Sequence, residues 1–165
     1  MAVIDRLGRR LSPDFDCALG RGGVRLIKRE GDGVTPIGRF DLRRCFYRPD
    51  RLDAPETALP VAAIGETDGW GDDPADPDGY NRLVTLPRPG GHERMWRDDG
   101  LYDLVVVPGH NDAPPIPGGG SAIFIHIARP DYAPTEGCVA LAPDDLRRVL
   151  AFCAPGGALV VKPPG

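Results

Sequence analysis

Short apolar runs recur along the chain, each closed off by turn-forming residues. Val24–Ile27, Phe40–Tyr47, Val61–Ile64, Arg82–Leu86, Tyr102–Val107, Ser121–Ile127 and Leu159–Val161 all have strand-like apolar content. Between them stand Glu30–Gly33, Asp76–Gly79, Arg88–Gly91 and Pro114–Gly120, rich in residues that tolerate positive φ or preset a turn. Many short strands at this spacing predict an all-β fold, a β-sandwich or barrel.

One segment has helical periodicity. Leu146, Val149, Leu150 and Cys153 repeat at i, i+3, i+4 and i+7 behind Pro143, with Asp144 and Asp145 at the positive end of the dipole and Pro155, Gly156 and Gly157 as the stop. This predicts a single C-terminal helix, with a much shorter helical turn at His92–Trp96. From Arg48 to Gly79 the strand signal is confined to Val61–Ile64, so this stretch is expected to run as a solvated irregular excursion. No internal repeat or linker interrupts the pattern, and residues 1–165 read as one domain.

Composition narrows the partners. With 41% hydrophobic and 27% charged residues the chain suits a globular domain. Its 22 glycines and 19 prolines are scattered between apolar runs and so mark turns rather than low complexity. A net charge of −4 provides no basic excess for nucleic acid. The purely apolar runs, such as Leu104–Val107 and Ala122–Ile125, fall far short of the roughly 20 residues of a membrane span. The N-terminus, MAVIDRLGRRL, carries Asp5 where an export signal needs an uninterrupted apolar stretch, so no leader is legible. Cys17, Cys45, Cys138 and Cys153 show no CxxC spacing and are too sparse for a disulfide scaffold.

The segment with most chemical content is SAIFIHIARPDYAPTEGCVAL, Ser121 to Leu141. His126 falls near the end of a largely buried strand. Ala128–Glu136 then forms a loop that leaves the sheet, and the chain returns at Gly137 and Cys138 just before the helix. Both ends of the loop are tied to regular structure, so the imidazole and the thiol can meet. An imidazole partner would stabilise the thiolate and lower the thiol's pKa. Gly137, lacking Cβ, would let backbone N–H groups reach a substrate carbonyl and build an oxyanion hole with the Cys138 amide. Two core residues are the competing account of a histidine and a cysteine at this spacing.

Here the residues resemble a known family. His126, Gly137 and Cys138, followed by a short apolar strand and a helix, resemble the catalytic signature of the L,D-transpeptidase (YkuD-type) domain, and Thr35-Pro36-Ile37-Gly38-Arg39-Phe40 resembles that family's T-P-x-G-x-F segment. The resemblance runs from about Gly20 to Val161. It implies a cysteine-dependent acyltransferase acting on peptidoglycan stem peptides in the cell envelope, without metal or organic cofactor. His126 would take the Cys138 proton, D-alanine would leave, and the thioester would pass to a second stem's amine or to water. A carbapenem, whose strained lactam imitates the scissile amide, is expected to acylate Cys138. The alternatives are a hydrolase on the same fold and a non-catalytic peptidoglycan-binding module.

The chain departs from the family pattern at three positions. Glu136 stands where many members have histidine, and Ala140, where many have Arg or Asn, cannot grip a carboxylate. Ile127 replaces a small or hydroxyl residue, so the contact that orients the imidazole is expected from a backbone carbonyl. Arg129, Tyr132 and Glu136 in the loop, with His110 before the Gly118–Gly120 run, are the candidates to contact a stem peptide. Gly118–Gly120 is no phosphate cradle, since no Lys-Ser/Thr follows it. His92, His110 and His126 lack partners at ligand spacing, so no metal site is expected. Cys17, Cys45 and Cys153 are expected to be structural.

Overall fold

The computed structural model describes residues 2–4 and 15–163; Asp5, on which the reading of the N-terminus turns, lies outside the described residues. Among the described residues the elements are β1 (Ala2–Ile4), β2 (Cys17–Ala18), β3 (Val24–Arg25), β4 (Thr35–Pro36), β5 (Gly38–Tyr47), β6 (Val61–Ala63), β7 (Asp68–Gly71), β8 (Leu83–Thr85), β9 (His92–Arg94), β10 (Leu104–Pro108), β11 (Ile125–Ile127), β12 (Val139–Leu141), α1 (Pro143–Phe152) and β13 (Ala158–Val161). The fold is all-β with one short helix, as the spacing of apolar runs predicts. No helix among the described residues is long and apolar enough to cross a membrane.

An eight-stranded sheet runs in the order β1-β13-β5-β10-β11-β12-β2, with β6 alongside β5. The long β5 joins its parts: Gly38–Asp41 pairs with β13, while the residues from Leu42 onward pair with β10. Because side chains alternate across a strand, the centre of this sheet has two distinct apolar faces. One face, with Val106, Ile125, Val139 and Leu141, packs against Leu146, Val149 and Leu150 of α1. The other, with Phe46, Val105, Val107, Phe124 and Cys138, packs against Ile64, Trp70, Met95 and Tyr102. The helix covers one side of the sheet, and the nucleophile candidate belongs to the other.

Three expectations about elements are corrected. The excursion from Arg48 to Gly79 contains β7, the centre of an antiparallel sheet in the order β8-β7-β9. Residues 92–94 form β9 rather than a helical turn, because they pair with β7 and alternate, with Glu93 turned inward between exposed His92 and Arg94. The strand expected over Ser121–Ile127 begins only at Ile125. Ala122 adopts φ +49°, outside the extended region, and its N–H bonds to the Asn81 side chain instead of a ladder.

Truncation of the helix face tests which side of the sheet supplies stability. Leu146 and Leu150 are fully buried against the sheet, so Leu146→Ala should cost about 2–5 kcal/mol in urea denaturation while leaving the thiol side of the sheet intact. A loss below about 1 kcal/mol would show that α1 packs loosely on the sheet.

Candidate active site

β11 and β12 run parallel, in the register Ile125↔Val139, His126↔Ala140 and Ile127↔Leu141. Period two then puts Cys138 on the same face as Ala140, and the register puts His126 on that face too. A parallel pair needs a crossover rather than a tight turn, and the loop from Ala128 to Gly137 supplies it. Its return leg is held by backbone bonds from Thr135 N–H to Leu19 O and from Arg21 N–H to Thr135 O.

Gly137 at the end of this loop has φ +129°, and a Cβ there would sit 2.7 Å from the Val34 carbonyl oxygen. Only glycine fits. Its carbonyl accepts the Thr35 hydroxyl at 2.9 Å, and Thr35 Oγ1 accepts the Gly20 N–H at 2.8 Å. The Thr-Pro segment and the Gly-Cys segment, about a hundred residues apart, are therefore in direct contact. Thr135 closes the arrangement: its hydroxyl donates to the Cys138 carbonyl at 2.6 Å and accepts the Gly137 N–H at 3.1 Å. That leaves the Cys138 N–H without an acceptor among the described residues.

The thiol itself donates to the Ala122 carbonyl at 3.1 Å, and its sulfur accepts the Phe124 N–H at 3.4 Å. His126 holds its Nδ1 2.8 Å from the Ile127 carbonyl, which requires Nδ1 to carry the proton and leaves Nε2 as the acceptor nitrogen. The orienting group is thus a backbone carbonyl, as the bulk of Ile127 suggested. Tyr102 lies edge-on to the imidazole at 5.3 Å, and its hydroxyl donates to Glu93 at 2.7 Å. Arg97 stacks on the Tyr102 ring, bonds Glu93 at 3.2 Å and clamps Asp99 at 3.0 and 2.5 Å.

The electrostatics differ from the expectation of a lowered thiol pKa. Burial, with the Glu93 carboxylate adding to it, pushes Cys138 up to about 12. Burial also lowers His126 to about 4. Desolvation penalises both charged forms and outweighs any mutual stabilisation, so the resting pair is a neutral thiol and a neutral imidazole. Cys45 and Cys153 are likewise pushed up to about 12 by burial, so titration does not single out Cys138. Access does. Cys138 and His126 open into one cavity of about 550 Å³, together with Tyr102, Glu93, Arg97 and Ser121.

Of the residues expected to contact substrate, Arg129 and Glu136 line this cavity. Glu136 is exposed and paired with Arg21 at 2.8 Å. Tyr132 is not among the lining residues; its ring packs on Ala18, Ala128 and Ala140. His110 is also turned away. Its Nε2 donates to the Gly119 carbonyl at 3.1 Å, its ring meets Phe40 edge-on, and it lines a separate cavity. His92 does line the cavity of Cys138 and His126, from β9. Among the described residues no three His, Cys, Asp or Glu side chains cluster as a metal site.

Tyr102, Glu93, Arg97, Thr135 and Asn81 were not singled out from sequence. β9 reads His-Glu-Arg, polar throughout, so nothing local marks Glu93 as buried; it and the others depend on contacts between distant segments.

A family model described as the L,D-transpeptidase catalytic domain matches residues 3–161. The chain belongs to that family. No curated protein and no solved structure matches it. For an L,D-transpeptidase domain the implied substrate is peptidoglycan, and the two segments joined through Thr35 and Gly137 are those on which the resemblance rests.

A neutral resting pair has a kinetic signature. Iodoacetamide requires the thiolate, so alkylation of Cys138, followed by peptide mapping, should climb about tenfold per pH unit from pH 7 to 10 with no plateau near neutrality. A plateau between pH 5 and 8 would instead reveal a preformed thiolate–imidazolium pair. The His126 imidazole should take up a proton only as pH falls toward 4, read from its ring proton shifts in NMR.

Proposed function

We propose that the chain is a cysteine L,D-transpeptidase that carries a peptidoglycan stem peptide as a thioester on Cys138. The observation that supports this most is the common face of Cys138 and His126 on two paired strands, open to a single cavity. In the first half-reaction the thiol turns from the Ala122 carbonyl, and His126 Nε2 takes its proton as sulfur attacks the carbonyl of the diamino acid before the terminal D-alanine. The Cys138 N–H is available to the developing oxyanion. His126 returns the proton to the departing amine, and D-alanine leaves. In the second half-reaction an acceptor amine attacks the thioester, the C–S bond breaks, and the proton lost by the amine goes through His126 to sulfur. A cross-link and a free thiol result.

With a neutral thiol at rest, His126 acts as a general base in the attack rather than as a standing counter-ion. Positioning of His126 therefore matters as much as its basicity, and Tyr102, packed on the ring and anchored by Glu93, supplies part of it.

Purified protein with a donor tetrapeptide and excess acceptor should release D-alanine and form a dimer, and Cys138→Ala should abolish both. D-alanine release without dimer, with acceptor in excess, would identify a hydrolase. Muropeptide binding that survives Cys138→Ala, with no adduct ever formed on the unmodified protein, would identify a binding module. A carbapenem should add once, on Cys138, in intact-mass spectra; an adduct on Cys17, Cys45 or Cys153 would overturn the assignment of the nucleophile.

A further inference from the structure

Two carboxylates in the cavity have no Lys or Arg paired with them, although the His92 imidazole acts on Asp72 from the same wall. Glu30 and Asp72 both line the cavity, and neither forms an ion pair among the described residues. Burial and the nearby Glu30 charge both raise the pKa of Asp72, so the two carboxylates repel each other across a partly dry space. Lys28, on the same loop as Glu30, does not relieve this: its ammonium is held by Asp32 at 2.5 Å and the Arg29 carbonyl at 3.0 Å.

A second, independent feature lies beside them. Ser121 is buried and lines the cavity, yet its Oγ has no hydrogen-bond partner among the described residues. A buried hydroxyl without a partner costs stability unless something arrives to satisfy it. Its place relative to Glu30 is defined by Tyr80, whose hydroxyl donates to Glu30 at 2.6 Å and accepts the Gly120 N–H at 3.0 Å. Glu30 is thereby anchored at the residue before Ser121. On the other side, Ala122 supplies the carbonyl that holds the Cys138 thiol. Glu30 and an unsatisfied hydroxyl thus stand beside the segment that holds the sulfur, with Asp72 on the wall of the same cavity.

We propose that Glu30, Asp72 and Ser121 form the acceptor subsite, which recruits the cationic side-chain amine of the second stem peptide and delivers it to the Cys138 thioester. This rests on the transpeptidase reading and adds which residues select the acceptor. The two carboxylates attract the protonated amine, Asp72 takes its ammonium proton so that the neutral amine can attack the thioester, and Ser121 offers its oxygen to the amine N–H. The cavity also holds two arginines: Arg129, near Asp99, acts electrostatically on His126, as Arg97 does. A donor bearing a carboxylate and an acceptor bearing an ammonium then have different partners in the one cavity that holds the sulfur. Attraction to the carboxylates also raises the local amine concentration over competing water, which favours transfer over hydrolysis.

The test uses the intact protein, a donor tetrapeptide and a tetrapeptide acceptor with a free side-chain amine, following dimer and hydrolysed donor by mass spectrometry. Asp72→Asn and Glu30→Gln keep the shape, and Gln still accepts the Tyr80 hydroxyl. Each should raise the acceptor KM about tenfold and lower the dimer-to-hydrolysis ratio by a similar factor. Ser121→Ala deletes a hydroxyl that bonds nothing, so it tests the subsite even if a carboxylate variant fails to fold, and should move the ratio the same way by a few-fold. In the unmodified protein the acceptor KM should rise with ionic strength, and this dependence should shrink in Asp72→Asn. An acceptor KM and ratio unchanged in all three variants, while the unmodified protein still forms dimers, would overturn the acceptor subsite alone. Absence of any thioester or D-alanine release from the unmodified protein would overturn the transpeptidase reading, and the subsite with it.

Discussion

The arrangement depends first on the parallel pairing of β11 with β12. With His126 opposite Ala140, the imidazole and the thiol of Cys138 share a face. A slip of one residue would send Cys138 to the helix side of the sheet, because alternation along a strand has a period of two. That slip is opposed from both faces. Ile125, Val139 and Leu141 are fully buried against α1, and Phe124 and Cys138 are buried against Trp70 and Tyr102. The apolar packing that makes the sheet also sets the register that puts His126 and Cys138 on one face. Gly137 then allows β12 to start where it does, since any side chain there would strike the Val34 carbonyl.

Burial that secures the register also governs the chemistry. A sulfur packed in an apolar cluster resists ionisation, and an imidazole beside it resists protonation. A neutral thiol is a weak nucleophile, so on the proposed reading His126 must take its proton during the attack. The bond from the Phe124 N–H to sulfur partly compensates. It arises because β11 begins late, at Ile125. A full-length strand over Ser121–Ile127 would have committed that amide to the ladder.

What the sequence carries and what it lacks divides along contact range. The helix boundaries, the strands β5, β10 and β13, and the pair His126 and Cys138 are local signals of periodicity, punctuation and motif. The shortened β11 is not local, since it turns on Asn81, some forty residues upstream, whose side chain takes the Ala122 N–H. Likewise β9 exists only because β7 is there to pair with, and β7 has two glycines among its four residues, too few side chains to read as a strand. His110 and Tyr132 were drawn toward the site by their position in loops near it, but loop proximity in sequence says nothing about which way a ring turns.

Tyr132 shows how one departure from the family pattern is absorbed. It adopts φ +52°, a conformation that costs a non-glycine residue on the order of 1 kcal/mol. Its ring is packed on Ala18, Ala128 and Ala140, three methyl-sized side chains brought together by the pairing of β2 with β12 and by the Ala128 N–H bond to Leu141. An arginine at position 140 would occupy that space and lift the ring. The small residue and the tyrosine therefore go together: Ala140 leaves room for the ring, and the loop is pinned down at its midpoint. With alanine at position 140, the positive charge near His126 comes from Arg97 and Arg129. Arg97 is anchored by Asp99 and Glu93, whereas Arg129 is exposed and stands 4.0 Å from Asp99.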